Sequence, residues 1–348
     1  MKSADAQMVS RRLSLGLMLM LLGVSLGFNL TGISWGLPDH WYPEERLLAL
    51  EAIELVQGRK LCPRTYYYGT LPKYVLAIFY SPFLLNKTTK ITEEDPNQDY
   101  AVALYAGRFF FAIIASLVAL IFYRVLLKIC SPAPAFVSSL LLALAPIYVN
   151  WSHLIKNTSF QILFYCLCLL FAVQFILNRR KKYLYLTSFI CGLTLGIQVT
   201  GLFVFIMLAW PTLAYFSGSL EGEWKLKPAK EIARVILMEG LLALLGLGLA
   251  FPCLFLHPTE VIYQTYVVTM TVKQGVGILY PSGYLQIPRL LFIDSGFVGF
   301  AISIIGIIWY LTAGKQSLED DTRKVANFIL LPSIFFSVYP MPRSGAWI

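Results

Sequence analysis

The sequence predicts an all-α, polytopic membrane protein, and three observations support this fold class. First, 57% of the 348 residues are hydrophobic. Second, only 14% are charged, whereas soluble domains carry about 25% charged residues. Third, several apolar runs reach the roughly 20 residues that an α-helix needs to cross about 30 Å of hydrocarbon. We therefore expect a single membrane domain over residues 1–348 with about nine transmembrane helices.

The distribution of charge predicts how the chain is oriented. There are 28 Lys and Arg against 19 Asp and Glu, and in membrane proteins the basic residues collect on the cytoplasmic side. This excess therefore indicates topology, and nucleic acid is not expected as a partner. Arg11 and Arg12 precede the apolar run 13–30, which favours an uncleaved signal anchor with a cytoplasmic N-terminus over a cleaved signal peptide.

The remaining apolar runs are expected to cross the membrane in alternating directions. The basic block 179–182 marks the cytoplasmic side most strongly. The run 184–216 is too long for one span, so we expect it to break near Thr200 and Gly201. If the source is bacterial, the protein is expected in the inner membrane. The predicted spans lie at 13–30, 104–127, 134–149, 160–177, 184–216 as two helices, 235–256, 292–311 and 328–339.

Residues 34–103 form the predicted first external loop, which is long and acidic. Pro43 suits the first position of a helix, and this helix is expected to lie on the membrane surface. Glu44 and Glu51 are seven residues apart, so they share the polar face opposite its apolar residues. A second apolar piece at 71–85 is too short for a span and is expected to be interfacial or re-entrant.

Cysteine usage predicts neither a disulfide framework nor a metal site. The chain has six cysteines. Five of them lie in or beside apolar segments, where a thiol behaves as a small hydrophobic group. Cys62 alone lies in the polar loop, and a single loop cysteine argues against a disulfide framework. We predict no metal-binding cluster and no certain cofactor, although a divalent cation could be required.

The adjacent carboxylates of Glu44 and Glu45 are the best candidates for catalytic groups. They open the predicted interfacial helix just outside a span, where a carboxylate could accept a proton from a substrate hydroxyl. The alternative is that both acids only stabilise the helix N-terminus, an effect of about 0.3–1 kcal/mol.

Polar residues at the outer ends of the spans are candidates for substrate and phosphate binding. Arg108 opens the second span, where an Arg either reaches for the surface or binds an anion. Lys73 could pair with a lipid phosphate, although the nearby tyrosines also suit an aromatic belt. In the turn before the fourth span, His153 and Asn157 would share one face of a helix. The full set is Tyr68, Lys73, Arg108, His153, Lys156 and Asn157.

The order of these features resembles the GT-C membrane glycosyltransferases, and most of all their protein mannosyltransferase-like and aminoarabinose transferase-like branch. The resemblance covers residues 13–216. Glu44 matches the position of the family's proposed catalytic Asp, and Arg108 matches the family's Arg at the start of the second span. Asn157 follows a Ser-His pair where the family often has Asp. The sequence stops where relatives often continue into further spans, which implies a shorter relative or a truncated chain.

This resemblance implies an inverting transfer of a sugar from a polyprenyl-phosphate donor to an acceptor hydroxyl at the external face. The acceptor could be a protein, a lipid or a glycan. The resemblance also implies that Glu44 acts as the base and that Arg108, Lys73 or Lys156 stabilises the leaving phosphate. Two alternatives stay open: a lipid or glycolipid transporter or flippase, and a non-catalytic protein of the same fold. A transporter would need charges at the middle of the membrane, and the predicted spans carry few.

Overall fold

The computed structural model describes residues 2–37, 43–66, 68–85, 91, 98–218 and 226–267. Over these residues the regular secondary structure is helical. The predicted spans at 292–311 and 328–339 and the end of the chain lie outside the described residues. The helices are α1 (Lys2–Leu30), α2 (Pro43–Gln57), α3 (Leu71–Leu84), α4 (Gln98–Leu126), α5 (Pro132–Ala143), α6 (Pro146–Ser152), α7 (Asn157–Asn178), α8 (Lys181–Leu195), α9 (Phe205–Phe216), α10 (Ala229–Ala250) and α11 (Cys253–Leu256).

Four of these helices, α1, α4, α7 and α10, are long and apolar enough to cross a membrane, which confirms the predicted all-α, polytopic class. The predicted break in the run 184–216 is also confirmed. There α8 ends at Leu195, a 3-10 helix covers Val199–Val204, and α9 begins at Phe205. Both loop helices, α2 and α3, form where the sequence predicts them.

The predicted span 134–149 is wrong as a single helix. The structure divides it into α5 and α6, which are separated by Leu144 and Ala145. Pro146 explains the break, because a proline cannot donate the helical hydrogen bond and forces the preceding residue out of the helical conformation. Ala145 accordingly has a ψ of 123°.

A buried set of polar side chains joins the first span to its neighbours. The Asn29 amide donates to the hydroxyls of Ser25 at 3.3 Å and Ser116 at 3.0 Å, and Ser152 donates back to Asn29 Oδ1 at 2.8 Å. All four side chains are buried. Hydrogen bonds of this kind help to join helices in lipid, where apolar contacts alone discriminate little. They fix α1 against α4 and α6, and thereby fix the end of α1 from which the acidic loop starts.

Small residues allow α8 and α10 to pack at backbone contact. A Cβ added to Gly192 would lie 1.9 Å from the carbonyl oxygen of Ala243, and one added to Gly246 would lie 2.2 Å from that of Phe189. Small residues at such positions are a common way for membrane helices to approach closely. The close contact sets the position of the end of α10, which touches the loop between α2 and α3.

That loop is held to the ends of α8 and α10 by its backbone. The backbone N–H of Gly69 donates to the carbonyl oxygen of Ile197 at 3.0 Å. The hydroxyl of Thr70 donates to the carbonyl oxygen of Ala250 at 2.6 Å. A disulfide joins Cys62 to Cys253, with their Cα atoms 5.8 Å apart. The prediction against a disulfide is therefore wrong. Because α10 ends at Ala250, Cys253 lies beyond this helix and can reach the loop.

We expect Gly192→Ala to destabilise the protein by about 1–3 kcal/mol, because the new methyl group would overlap a backbone oxygen and force α8 away from α10. Thermal unfolding in detergent measures this effect. Gly240→Ala in α10 is the matched control, since an added Cβ there meets no atom within 4 Å. Equal melting temperatures for the two variants would contradict the close packing.

Candidate active site

The polar face of α2, which carries Glu44 and Glu51, is buried within the protein. Glu44, Glu45 and Glu51 are each at most 6% exposed. Burying carboxylates without partners would be very unfavourable. Each of the three instead meets a cation from a different part of the chain. The structure therefore brings α2 together with α3, α4 and the turn before α7.

Glu45 forms a two-pronged ion pair with Arg108, which lies in the N-terminal half of α4. Arg108 Nε donates to Glu45 Oε1 and Nη2 donates to Oε2, both at 2.6 Å. Its Nη1 donates to the backbone carbonyls of Ile33 and Trp35 at 2.9 and 2.7 Å. Four of the five guanidinium N–H groups are thus engaged. Glu45 Oε1 also accepts the backbone N–H of Ile155 at 3.2 Å, so this pair connects α1, α2, α4 and the turn before α7.

Glu44 lies one residue earlier and has a different environment. The Tyr68 hydroxyl donates to Glu44 Oε1, and Lys156 Nζ lies 3.5 Å from Oε2. The ammonium of Lys156 also lies 3.3 Å from the centre of the Trp151 ring, a favourable cation–π geometry. Burial lowers the pKa of Lys156, and the neighbouring Glu44 carboxylate partly opposes that shift.

Asn157 is the first residue of α7 and lies directly after Lys156. It is 3% exposed, and neither its amide oxygen nor its amide nitrogen has a hydrogen-bond partner. Buried polar side chains are nearly always satisfied, so an unsatisfied amide calls for an explanation. A bound polar ligand at the start of α7 would supply one.

His153 does not share a helix face with Asn157, contrary to the prediction. The helix α6 ends at Ser152 and α7 begins at Asn157, so the two residues lie on either side of a turn. His153 Nε2 is instead 3.0 Å from the carbonyl oxygen of Phe28, near the end of α1.

Lys73 is buried in α3 and pairs with Glu51 rather than facing a lipid surface. Its Nζ lies 2.5 Å from Glu51 Oε2, and it donates to the carbonyl oxygen of Thr65 at 2.7 Å and to Thr65 Oγ1 at 3.4 Å. The ammonium is therefore enclosed by the Glu51 carboxylate and by Thr65. Two of the predicted phosphate-binding cations, Lys73 and Arg108, are occupied by protein groups, and Lys156 lies nearest to Glu44.

An apolar cavity of about 470 Å³ lies beside the loop that carries Tyr68, within the range of small-ligand pockets, about 300–1,000 Å³. It forms between the end of α8, the end of α10 and a helical segment over 258–267. The same segment contacts the loop, since Gln264 Oε1 accepts the backbone N–H of Tyr66 at 2.9 Å. The cavity is lined by Leu195, Leu202, Leu247, Phe251, Leu254, Val261, Ile262, Thr265 and Tyr266.

The described residues form no group of three or more His, Cys, Asp or Glu side chains that could hold a metal ion. In addition, the carboxylates of Glu44, Glu45 and Glu51 already face cations. These residues do not compose a metal centre as they stand. The requirement for a divalent cation stays a prediction.

Taken together, the helices and the acidic loop after the first span define a polytopic, all-α membrane protein. Residues 101–251 match the family model described as dolichyl-phosphate-mannose-protein mannosyltransferase. The predicted resemblance to the GT-C membrane glycosyltransferases, in their protein mannosyltransferase-like branch, is thereby confirmed. No curated protein sequence matches this chain.

Two solved structures are similar in fold. One is the Saccharomyces cerevisiae protein O-mannosyltransferase Pmt1–Pmt2 complex bound to the sugar donor, with a TM-score of 0.51 and 18% sequence identity over 71% of this chain. The other is the apo oligosaccharyltransferase of Archaeoglobus fulgidus, with a TM-score of 0.49 and 15% identity over 95% of this chain. The chain covers only 34% of the yeast protein and 40% of the archaeal one.

We expect Arg108→Met to cost about 3–5 kcal/mol, because it leaves the Glu45 carboxylate buried without a cation. Arg108→Lys should recover only part of this loss, since one ammonium cannot grip the carboxylate in two places and also reach two carbonyls. Thermal unfolding and the fraction of monodisperse protein after detergent extraction report the effect. Wild-type stability in Arg108→Met would contradict this structural role.

Proposed function

We propose that this protein is a membrane glycosyltransferase that moves a sugar from a polyprenyl-phosphate donor to an acceptor hydroxyl, with inversion at the anomeric carbon. The observation that carries the proposal is the buried carboxylate of Glu44, held between the hydroxyl of Tyr68 and the ammonium of Lys156. The match to a mannosyltransferase family model supports glycosyl transfer. The similar yeast structure is described as bound to its sugar donor.

Glu44 is proposed to be the general base. Its Oε1 accepts the Tyr68 hydroxyl, which orients the carboxylate. Its Oε2 lies 3.5 Å from Lys156 Nζ, which is longer than the usual hydrogen bond of about 2.7–3.2 Å. An acceptor hydroxyl is proposed to approach this oxygen. As the hydroxyl loses its proton to Glu44, its oxygen attacks the anomeric carbon and the lipid phosphate leaves from the opposite side.

The leaving phosphate is proposed to lie between Lys156 and the start of α7. Negative charge grows on this phosphate as the bond to the sugar breaks, so a fixed cation and oriented donors stabilise the transition state. The N-terminus of α7 supplies unpaired backbone N–H groups and the positive end of its dipole. The unsatisfied amide of Asn157 lies at this helix end and could donate to a phosphate oxygen or to the sugar. This arrangement gives Asn157 a binding role and leaves proton transfer to Glu44.

Two further observations support the proposals that the donor carries a polyprenyl chain and that the reaction takes place at the external face. The apolar cavity beside the loop suits the first isoprene units of a lipid donor, and it offers no cluster of charges for a nucleotide. The Cys62–Cys253 disulfide joins the loop to the region after α10, and disulfides persist mainly in oxidising compartments. A donor carried by a lipid phosphate suits that side of the membrane. Proteins, lipids and glycans all offer a suitable acceptor hydroxyl.

A lipid transporter or flippase is the second candidate, and one observation favours it. Glu239 lies buried within α10, where Thr212 donates to its carboxylate at 2.9 Å, and ionisable groups inside spans often mark transport paths. A third possibility, a non-catalytic member of the class, follows from Asn157 standing where relatives often have Asp. Membranes incubated with radiolabelled polyprenyl-phosphate sugars separate the three. Transfer to an acceptor supports the enzyme, lipid movement without transfer supports the transporter, and neither supports the third.

Glu44→Gln is expected to reduce transfer by about 10²-fold or more, because an amide cannot accept the acceptor's proton. Transfer of radiolabelled sugar, measured at matched amounts of membrane-inserted protein, tests this. Glu54→Gln on the same helix is the control. Glu54 pairs with an exposed Arg64 at 2.6 Å, and such surface pairs contribute only about 0–1 kcal/mol. Full activity of Glu44→Gln would remove Glu44 from the mechanism.

The pH dependence of transfer should report Lys156. Its protonated form is the one that stabilises the leaving phosphate, and burial lowers its pKa from the ordinary value of 10.5. Transfer should therefore decline at alkaline pH before an exposed lysine would lose its proton. In Lys156→Arg the side chain stays protonated to about pH 12, so the decline should move to higher pH. Identical alkaline profiles for the two proteins would exclude this role.

A further inference from the structure

We propose that the buried ion pair of Glu51 and Lys73 is a positioning device, which holds the loop that delivers the Tyr68 hydroxyl to Glu44. The inference rests on the proposed function, because it assigns Tyr68 to the base of that reaction. It also moves Lys73 from phosphate binding to the support of the site. Glu51 and Lys73 are 3% and 0% exposed, and both side chains are directed at a single loop residue, Thr65.

Thr65 is held on both its backbone and its side chain. Glu51 Oε1 accepts the backbone N–H of Thr65 at 2.9 Å and its hydroxyl at 2.7 Å. Lys73 Nζ donates to the carbonyl oxygen of Thr65 at 2.7 Å. Charge-assisted hydrogen bonds of this kind are stronger and more directional than neutral ones. The ion pair therefore fixes the position of this residue in the loop.

The spacing of the acids on α2 matches the spacing of their partners in the loop. Glu44 and Glu51 are seven residues apart, close to two full turns, so they lie on one face with a rise of about 10 Å between them. Thr65 and Tyr68 are three residues apart, and a three-residue stretch reaches about 10 Å when extended. With Thr65 fixed at Glu51, Tyr68 lies within reach of Glu44 two turns earlier on the helix.

Stability alone gives a weak reason for this pair. A buried ion pair often stabilises a fold no more than apolar residues of similar volume, and sometimes less. Removing one partner is different, because it leaves an uncompensated charge in the interior. Replacing both partners at once can thus restore stability without restoring the hydrogen bonds to Thr65. This difference separates a positioning role from a merely structural one.

The test uses the full-length protein in membranes with a radiolabelled polyprenyl-phosphate sugar. The double variant Glu51→Leu/Lys73→Met should melt close to the wild-type temperature, while its kcat should fall by about tenfold or more at an unchanged donor KM. The exposed pair Glu54→Gln/Arg64→Gln, on the same helix and loop, is the matched control and should keep wild-type kcat. Wild-type kcat in the buried double variant would overturn the proposal.

Combination with Tyr68→Phe tests whether the pair acts through Tyr68. If it does, Tyr68→Phe lowers kcat in the wild-type background but lowers it little further in the buried double variant, because residues that act as a unit are not additive. Full additivity would overturn the proposal. If the double variant fails to fold, Thr65→Val and Thr65→Ser take its place. The valine should lose kcat as above and the serine should restore it, whereas equal kcat for both would overturn the proposal.

A third measurement does not depend on transfer. In Tyr68→Cys, maleimide should alkylate the new thiol faster when the buried pair is also replaced, because the loop then loses its contacts at Thr65. An unchanged alkylation rate would overturn the positioning role even in an active enzyme. Absence of transfer by the wild-type protein, in contrast, would refute the proposed function while the alkylation result still decided whether the pair holds the loop.

Discussion

The ion pair between Arg108 and Glu45 joins four parts of the protein: α2, α4, the segment after α1 and the turn before α7. The guanidinium of Arg108 on α4 donates two hydrogen bonds to the Glu45 carboxylate on α2. It donates two more to backbone carbonyl groups that follow the end of α1. The same carboxylate accepts a backbone N–H from the turn before α7. Because α2 is attached here to three other elements, the neighbouring Glu44 is carried into a defined position. The proposed base thus depends on a residue that would not itself take part in the reaction.

The helix α2 brings three acids to three cations that come from separate parts of the chain. Glu44 meets Lys156 before α7, Glu45 meets Arg108 on α4, and Glu51 meets Lys73 on α3. The carboxylates of all three pairs are buried, so the acidic loop is close to neutral where it packs. The first and last pairs differ in their remaining partners. Lys73 contacts Glu51 and Thr65, whereas Lys156 lies directly before Asn157, whose buried amide has no hydrogen-bond partner.

Hydropathy and helix signals were sufficient to predict α1, α4, α7, α10 and both helices of the acidic loop. They were sufficient because the length of a span and the first turn of a helix depend on neighbouring residues in the sequence. The pairing of Glu51 with Lys73 could not be predicted in this way, since it depends on how α3 folds back on α2. The partner of Cys62 could not be predicted for a similar reason. Cys253 lies within the apolar run 235–256, but α10 ends at Ala250, before that run does. The break before Pro146 could have been predicted, because a proline disfavours the helical conformation of the preceding residue. The high hydropathy of 134–149 instead led to the prediction of one continuous span.

The disulfide between Cys62 and Cys253 carries a constraint on how the chain is threaded through the membrane. A covalent bond between two thiols requires both to lie in the same compartment, so the chain must cross the bilayer an even number of times between residues 62 and 253. The predicted spans from 104–127 to 235–256 number six when the run 184–216 counts as two, and this predicted number agrees with the constraint. The break between α8 and α9 is therefore more than a local irregularity. If the run 184–216 formed one span, five crossings would be predicted between the two cysteines, and the disulfide would not agree with that number.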